Sequence, residues 1–382
     1  MASRAEQLLA LGQSVWLDFI RRGHLVSGEF DRLVRDSGVV GVTSNPTIFQ
    51  QAIAKSSDYD AALQSRIASG LEGPALFESL AVEDVQMACD RLRSVHEKSG
   101  GLDGRVSIEV SPRLADDTHG SVAEGLRLHR SVARDNLYVK VPATPAGLPA
   151  ITALLAEGVC VNVTLIFSIG RYEQVMDAWL AGLEERAKRG QPIDRLFSVA
   201  SFFVSRVDSK VDPAIDLRLE TMAKSSANHA ELASYRGRTA VANARVAYRR
   251  FKEVVADARY AALVKRGAPV QRPLWASTST KNPAYRDVLY VEELIGPDTV
   301  NTMPPQTLEA FNDHGVVEAR LEHDVDGARR MMERLVELGV PLGRLIDELE
   351  PEGVAAFAKS YESLIETLES KRKEMVGSGG PR

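Results

Sequence analysis

The sequence predicts an α/β fold, a (β/α)8 TIM barrel, on three observations. Eight short runs rich in β-branched residues recur along the 382 residues, separated by helical patterns. Most of these runs are apolar on both faces, as parallel strands covered on both sides must be. No G-x-G-x-x-G or G-x-x-x-x-G-K-[ST] follows any of them, which weakens the alternative of a doubly wound sheet.

The strand runs are, in order, SVWLDFI (14–20), VVGVTS (39–44), RVSIEV (105–110), NLYVKV (136–141), VCVNVTLIF (159–167), LFSVASFFV (196–204), PLWAST (273–278) and TVNTM (299–303). Between the fourth and fifth, Thr144 is expected to cap a helix with Pro145 at its first position. Leu148, Ile151, Leu154 and Leu155 give it an apolar stripe, and Gly158 ends it. After the fifth, Ser168 starts a helix carrying Tyr172, Val175, Met176 and Trp179, stopped by Gly190 and Pro192.

Two stretches exceed a minimal barrel of about residues 14–311. Residues 208–272, between the sixth and seventh strands, form a helical insertion in which 238–267 reads as one long helix ending at Gly267 and Pro269. Residues 304–382 carry at least three more helices, over about 312–375. Their Met331, Leu335, Leu338, Leu364 and Leu368 are spaced to pack on the barrel wall. The final GSGGPR (377–382) reads as a flexible tail. No linker or repeat divides the chain, so one domain over 1–382 is expected.

Hydrophobic residues at 44% and charged residues at 26% are the balance of a globular protein, which excludes disordered and disulfide-scaffold classes. A net charge of −5 with no Lys/Arg run argues against nucleic-acid and membrane partners. The cysteines Cys89 and Cys160 are expected to be free and buried. The N-terminus lacks a signal-peptide pattern, and no stretch of about 18 apolar residues occurs, so the expected address is the cytoplasm. The histidines show no H-x-H or H-E-x-x-H spacing, and DVDG (324–327) reads as a helix cap, so no metal is expected.

In such barrels chemistry sits at the C-terminal strand ends. A polar residue inside an apolar strand needs a reason, because burial without a partner costs several kcal/mol. Nearly every run carries one: Asp18, Asn45 just past the second, Glu109, Lys140, Asn162 with Thr164 on the same face, Ser201 followed by Arg206, and Ser279 with Lys281 after the seventh. Lys140, between Val139 and Val141, is the sharpest signal. Burial disfavours an ammonium, and Schiff-base chemistry on a carbonyl requires a neutral amine. The plainer alternative is a structural ion pair with Glu109 or Asp18. Those two carboxylates are the acids embedded in the runs, fit for proton transfer; Asp116 and Asp117 read as capping or solvated. Lys281, expected in a turn that starts a helix, and Arg206 with its planar fork suit a phosphate.

Taken together, six motifs resemble the transaldolase family: GVTSNPTIF (41–49), VSIEVSPRLADDT (106–118), LYVKVPATPAG (137–147), VNVTLIFS (161–168), SVASFFVSRVD (198–208) and ASTSTKNPAY (276–285). The resemblance implies a class I aldolase-type barrel of the pentose phosphate pathway, without metal or organic cofactor, in a longer bacterial-type subfamily. It implies transfer of a dihydroxyacetone unit between sugar phosphates, from sedoheptulose 7-phosphate to glyceraldehyde 3-phosphate. Lys140 would form the Schiff base, and Glu109 would work through a water held with Thr164. Asp18 would be the acid/base for carbon–carbon cleavage. Asn45 and Asn162 would hold the dihydroxyacetone hydroxyls and the intermediate. Ser201, Arg206 and Ser279 would line the channel. Lys281 stands where many members carry a phosphate-binding arginine, and a lysine offers a point charge without the fork. A fructose 6-phosphate aldolase would use the same lysine, but Phe203 cannot donate a proton as a tyrosine could. A non-catalytic sugar-phosphate-binding barrel would have no use for a buried amine between two acids. A homo-oligomer stays open.

Overall fold

A computed structural model describes residues 2–378. The strands are β1 (Gln13–Leu17), β2 (Val39–Val42), β3 (Arg105–Glu109), β4 (Leu137–Pro142), β5 (Val161–Ile166), β6 (Ser198–Phe203), β7 (Gln271–Ala276) and β8 (Thr299–Met303). All pair in parallel, in sequence order, into a closed barrel. Closure is made by β1 against β8, with Gln13 opposite Thr299 and Leu17 opposite Met303. The eight predicted strands are thus the eight observed, with ends shifted by at most three residues and the eighth matched at both ends. Asp18 falls just beyond β1 rather than within it.

The floor of the barrel is polar and paired. Arg272 on β7 donates to Ser14 Oγ (2.6 Å) and Asp103 Oδ1 (3.0 Å), and both Arg272 and Asp103 are buried. Such a pair costs more to break than it contributes when intact, so it serves to fill the lumen below the site.

The helix after β4 begins at Gly147, not Pro145. Thr144 still caps: its Oγ1 accepts from Gly147 N (3.0 Å), but Pro145 and Ala146 form a turn leading in. Ser168 caps the Ile169–Lys188 helix as expected, accepting from Arg171 N. Asp117 and Asp324 likewise cap their helices, accepting from Gly120 N and Gly327 N. Cys89 and Cys160 are free and buried.

Four sequence expectations are corrected. The single helix over 238–267 is two, Thr239–Val255 and Ala258–Val264, because Asp257 accepts from Arg259 N and restarts the chain as a new N-cap. A third stretch exceeds the minimal barrel. Pro46–Ala54, Asp60–Ala68, Gly73–Arg91 and Arg93–Lys98 are all helices between β2 and β3. Residues 377 and 378 end a helix rather than begin a tail; 379–382 lie outside the described residues.

The fourth correction matters most for the site. The C-terminal helices do not simply coat the barrel wall. Val325–Glu337 packs Met331 and Ala328 on Ala242 of the insertion. The last helix, Leu349–Ser378, crosses the C-terminal mouth of the barrel. Its buried face carries Gly353, Phe357, Tyr361, Leu364 and Leu368, spaced four, four, three and four residues apart, the period of one helical stripe. Gly353 passes beside Leu165 and Arg206, Ser360 Oγ accepts from Thr47 Oγ1 (2.9 Å), and Tyr361 meets Phe77 edge-on. The insertion is held by Asp208, which accepts from Ala240 N (2.7 Å) and Tyr290 Oη (2.9 Å). No helix among the described residues is long and apolar enough to cross a membrane.

Candidate active site

A cleft of about 720 Å³ opens at the C-terminal end of the barrel. Asp18, Asn45, Lys140, Thr164, Ser201, Arg206, Ser279 and Lys281 all line it. A larger open groove, about 1000 Å³, lies outside the barrel between the 147–156 and 169–188 helices and the C-terminal region, and contains none of the predicted site residues.

Lys140 sits in β4 opposite Glu109 on β3 and Asn162 on β5. Its Nζ donates to Glu109 Oε2 (3.1 Å) and to the Ser44 carbonyl (3.2 Å). The two side chains are only 5% and 7% exposed, so the pair is well shielded from solvent. Burial raises the Glu109 carboxyl above its ordinary range, and the Lys140 charge and hydrogen bond pull it back.

Asp18 faces the cleft from the opposite wall. Burial raises its carboxyl, while the hydrogen bond from Thr43 Oγ1 (2.7 Å) and the charge of Lys140 act the other way. Thr43 also meets Thr302 on β8 at 2.7 Å, so a threonine pair fixes the carboxylate. Two carboxyl groups raised by burial, on either side of one amine, can pass protons to and from it.

Asn162 lies beneath the cleft rather than on its wall. Its Nδ2 donates to Ser107 Oγ (3.0 Å) and its Oδ1 accepts from Ser201 Oγ (2.7 Å). Asn45 caps the Pro46–Ala54 helix, its Oδ1 accepting from Ile48 N (3.0 Å). Thr164 is fully buried, and its Oγ1 has no hydrogen-bond partner among the described residues. Leu165, which follows, adopts φ +61°, and the pairing of β5 with β6 slips between Val163 and Ile166. A bulge of this kind re-aims side chains at a strand end, here beside the lysine.

Arg206 and Lys281 share one rim. The Arg206 guanidinium stacks 5.3 Å from the Phe203 ring centroid. Loss of solvent and then the charge of Arg206 lower Lys281, whose Nζ donates to Ser279 Oγ (2.6 Å). The expected helix start at Lys281 is absent: residues 277–288 are irregular, and the next helix is the short Leu289–Glu293. Pro283 lacks an N–H, Asn282 Oδ1 captures Ala284 N (3.0 Å), and Asp212 holds Tyr285 Oη (2.7 Å), so the segment stays a loop. That rim therefore offers side chains, not a helix end, to an anion.

Phe357 completes the wall, and sequence reasoning missed it. Its ring centroid lies 5.6 Å from Lys140 Nζ. A phenylalanine in an amphipathic stripe looks like any core residue, and only the glycine four residues before it hints at a close approach.

A family profile described as Transaldolase/Fructose-6-phosphate aldolase matches residues 15–368. The chain is 43% identical over 368 residues to "Transaldolase" of Trichodesmium erythraeum, covering 96% of this chain and 97% of that one. It is 48% identical over 376 residues to "Transaldolase" of Mycobacterium ulcerans, covering 97% and 98%. To "Transaldolase" of Thermobifida fusca it is 48% identical over 369 residues, covering 96% and 98%.

Proposed function

Because the chain belongs to the transaldolase/fructose-6-phosphate aldolase family and acts as a transaldolase, we propose that its turnover runs through a Schiff base on Lys140. The observation that carries this is the buried ion pair of Lys140, on the cleft wall, with Glu109 behind it, while Asp18 lines the same cleft. The Lys140 amine attacks the ketose carbonyl, and Glu109 moves protons to and from the carbinolamine through a water shared with Thr164. The unpartnered Thr164 hydroxyl supports that sharing. Asp18 takes the proton of the C4 hydroxyl as the C3–C4 bond breaks, leaving a three-carbon enamine on Lys140. The acceptor aldehyde then takes up that unit and a proton from Asp18. Donor and acceptor are sedoheptulose 7-phosphate and glyceraldehyde 3-phosphate. Ser201 lies on the channel wall, Asn45 orients the hydroxyls of the dihydroxyacetone unit, and Asn162 acts from beneath by holding Ser201. The barrel, its insertion and the C-terminal helices act as one catalytic unit, a reading supported by the last helix crossing the mouth.

Fructose 6-phosphate alone tests this. Glyceraldehyde 3-phosphate release should stop after about one turnover and resume when erythrose 4-phosphate supplies an acceptor carbonyl. Sustained release of free dihydroxyacetone would make the protein an aldolase.

Arg206, Lys281 and the Ser279 hydroxyl hold the phosphate. Charge-assisted contacts contribute roughly 1.5–3 kcal/mol, so Lys281→Met or Arg206→Met should lower kcat/KM for fructose 6-phosphate about 10–100-fold. Unphosphorylated fructose should lose little, because it never used the contact. Equal losses on both sugars would move the phosphate elsewhere.

A further inference from the structure

The reaction as derived leaves the long C-terminal helix without a task, yet that helix sets one side chain against the reacting amine. Around Lys140 Nζ the near neighbours are the Glu109 carboxylate, the Ser44 carbonyl and the face of the Phe357 ring, 5.6 Å from its centroid. Phe357 is 5% exposed and forms part of the cleft wall. The approach is built in. Gly353, one turn earlier, lies where a Cβ would stand 3.0 Å from Leu165 Cδ2 and 3.6 Å from the Arg206 guanidinium, so the helix passes close over the barrel end there. Ion pairs of Glu350 with Arg171 (2.7 Å) and of Glu348 with Lys210 (2.9 Å) pin the same end. At the far side the Thr47–Ser360 hydrogen bond does so.

Resting on the Schiff-base reading of Lys140, we infer that Phe357 is a specificity-determining residue that keeps water off the three-carbon adduct and so sets transfer against release. After cleavage the adduct is an enamine, with a C2=C3 double bond and C2 bound to Nζ. In transfer, C3 attacks the acceptor aldehyde, a carbon–carbon bond forms, the aldehyde oxygen takes a proton, and the resulting C2 imine is hydrolysed by the water at Glu109 and Thr164 to free the longer ketose and the Lys140 amine. In release, C3 takes a proton instead and the C2–N bond becomes an imine. Water then adds to C2, and the C–N electron pair returns to Nζ. The net consumption is one water, and free dihydroxyacetone leaves. A benzene ring neither gives nor takes a proton. Its face holds the cationic imine by its quadrupole and fills space that water would otherwise occupy.

The test compares wild type with Phe357→Leu, Phe357→Val and Phe357→Ala on two readouts. One is borohydride trapping with fructose 6-phosphate, followed by the mass of the Lys140 peptide. The other is the ratio of dihydroxyacetone release without acceptor to transfer onto erythrose 4-phosphate. Phe357→Ala should still trap the adduct while its release-to-transfer ratio rises about tenfold or more. Phe357→Leu, which keeps an apolar cover, should stay near the wild-type ratio, and Phe357→Val should fall between. If Phe357→Ala does not fold, the Phe357→Val comparison decides. A normal adduct with a ratio within about twofold of wild type in the truncated variants overturns the inference. An absent Lys140 adduct in the wild-type enzyme overturns the Schiff-base reading and this inference with it.

Discussion

Replacing Lys140 with methionine should abolish turnover, by at least about 10⁴-fold, the upper end of what a positioned acid or base alone supplies. The other lysine on the cleft wall, Lys281, is tied to Ser279 at the rim and cannot take over the chemistry. Methionine keeps an unbranched chain in the slot, so the variant should fold. It also leaves Glu109 buried without its cation. The two influences that hold that carboxyl down, the charge and hydrogen bond of Lys140, are gone, while burial and the Asp18 charge still raise it. Glu109 should therefore bind a proton in the folded variant at pH values where the unfolded chain, with a pKa near about 4.3, has lost it. Stability from that proton is present at low pH and lost as pH rises through the raised folded value. Urea unfolding should show K140M losing stability relative to wild type as pH rises above about 4.3, by up to about 3–5 kcal/mol. The double variant K140M/E109Q should show no such slope. An equal slope in both would move the proton off Glu109, and full activity in K140M would end the Schiff-base assignment.

Asp18→Asn and Glu109→Gln should each cost about 10²–10⁴ in turnover, but at different steps. In Asp18→Asn the amide oxygen could still accept the Thr43 hydrogen bond now made to Asp18 Oδ1, so the geometry should survive while the proton acceptor for cleavage is lost. Ketose should then accumulate as an uncleaved imine, and borohydride should leave the whole sugar phosphate on the Lys140 peptide. In Glu109→Gln the amide oxygen could still accept from Lys140 Nζ, but the side chain could not exchange a proton. Adduct of any length should form slowly. Mass spectrometry of the trapped peptide separates the two outcomes. Near-normal turnover in either variant would make that carboxylate structural.

Most of this site was legible because barrel strands are apolar on both sides. Against that background Lys140, Glu109, Asn162, Thr164 and Ser201 each stand out, and strand alternation says which of them share a face. Legibility failed where tertiary contacts, not local pattern, decide the outcome. Nothing around Lys281 announces that Asp212, about 70 residues earlier, captures Tyr285 and keeps the segment a loop. Asp257 lies inside a continuous apolar period, and its capping bond alone splits one expected helix into two. Asn162 reads as a cleft residue, but Ser107 and Ser201 engage it one layer below. Phe357 was the least accessible: its stripe specifies that the helix packs, and says nothing of whether the surface beneath is a barrel wall or an open mouth.

The closure of β1 onto β8 and the docking of the last helix also order events during synthesis. The nascent chain makes Lys140 early, but the cylinder that buries it cannot close until Met303 has emerged. Its cover arrives later still, with the Leu349–Ser378 helix. Contacts this distant in sequence form slowly, and N-terminal segments wait for them. An unfinished chain therefore carries Lys140 uncovered, with Asp18 and Glu109 already made but not yet brought around it by a closed barrel. Competence waits until a helix made long after Lys140 folds back over it.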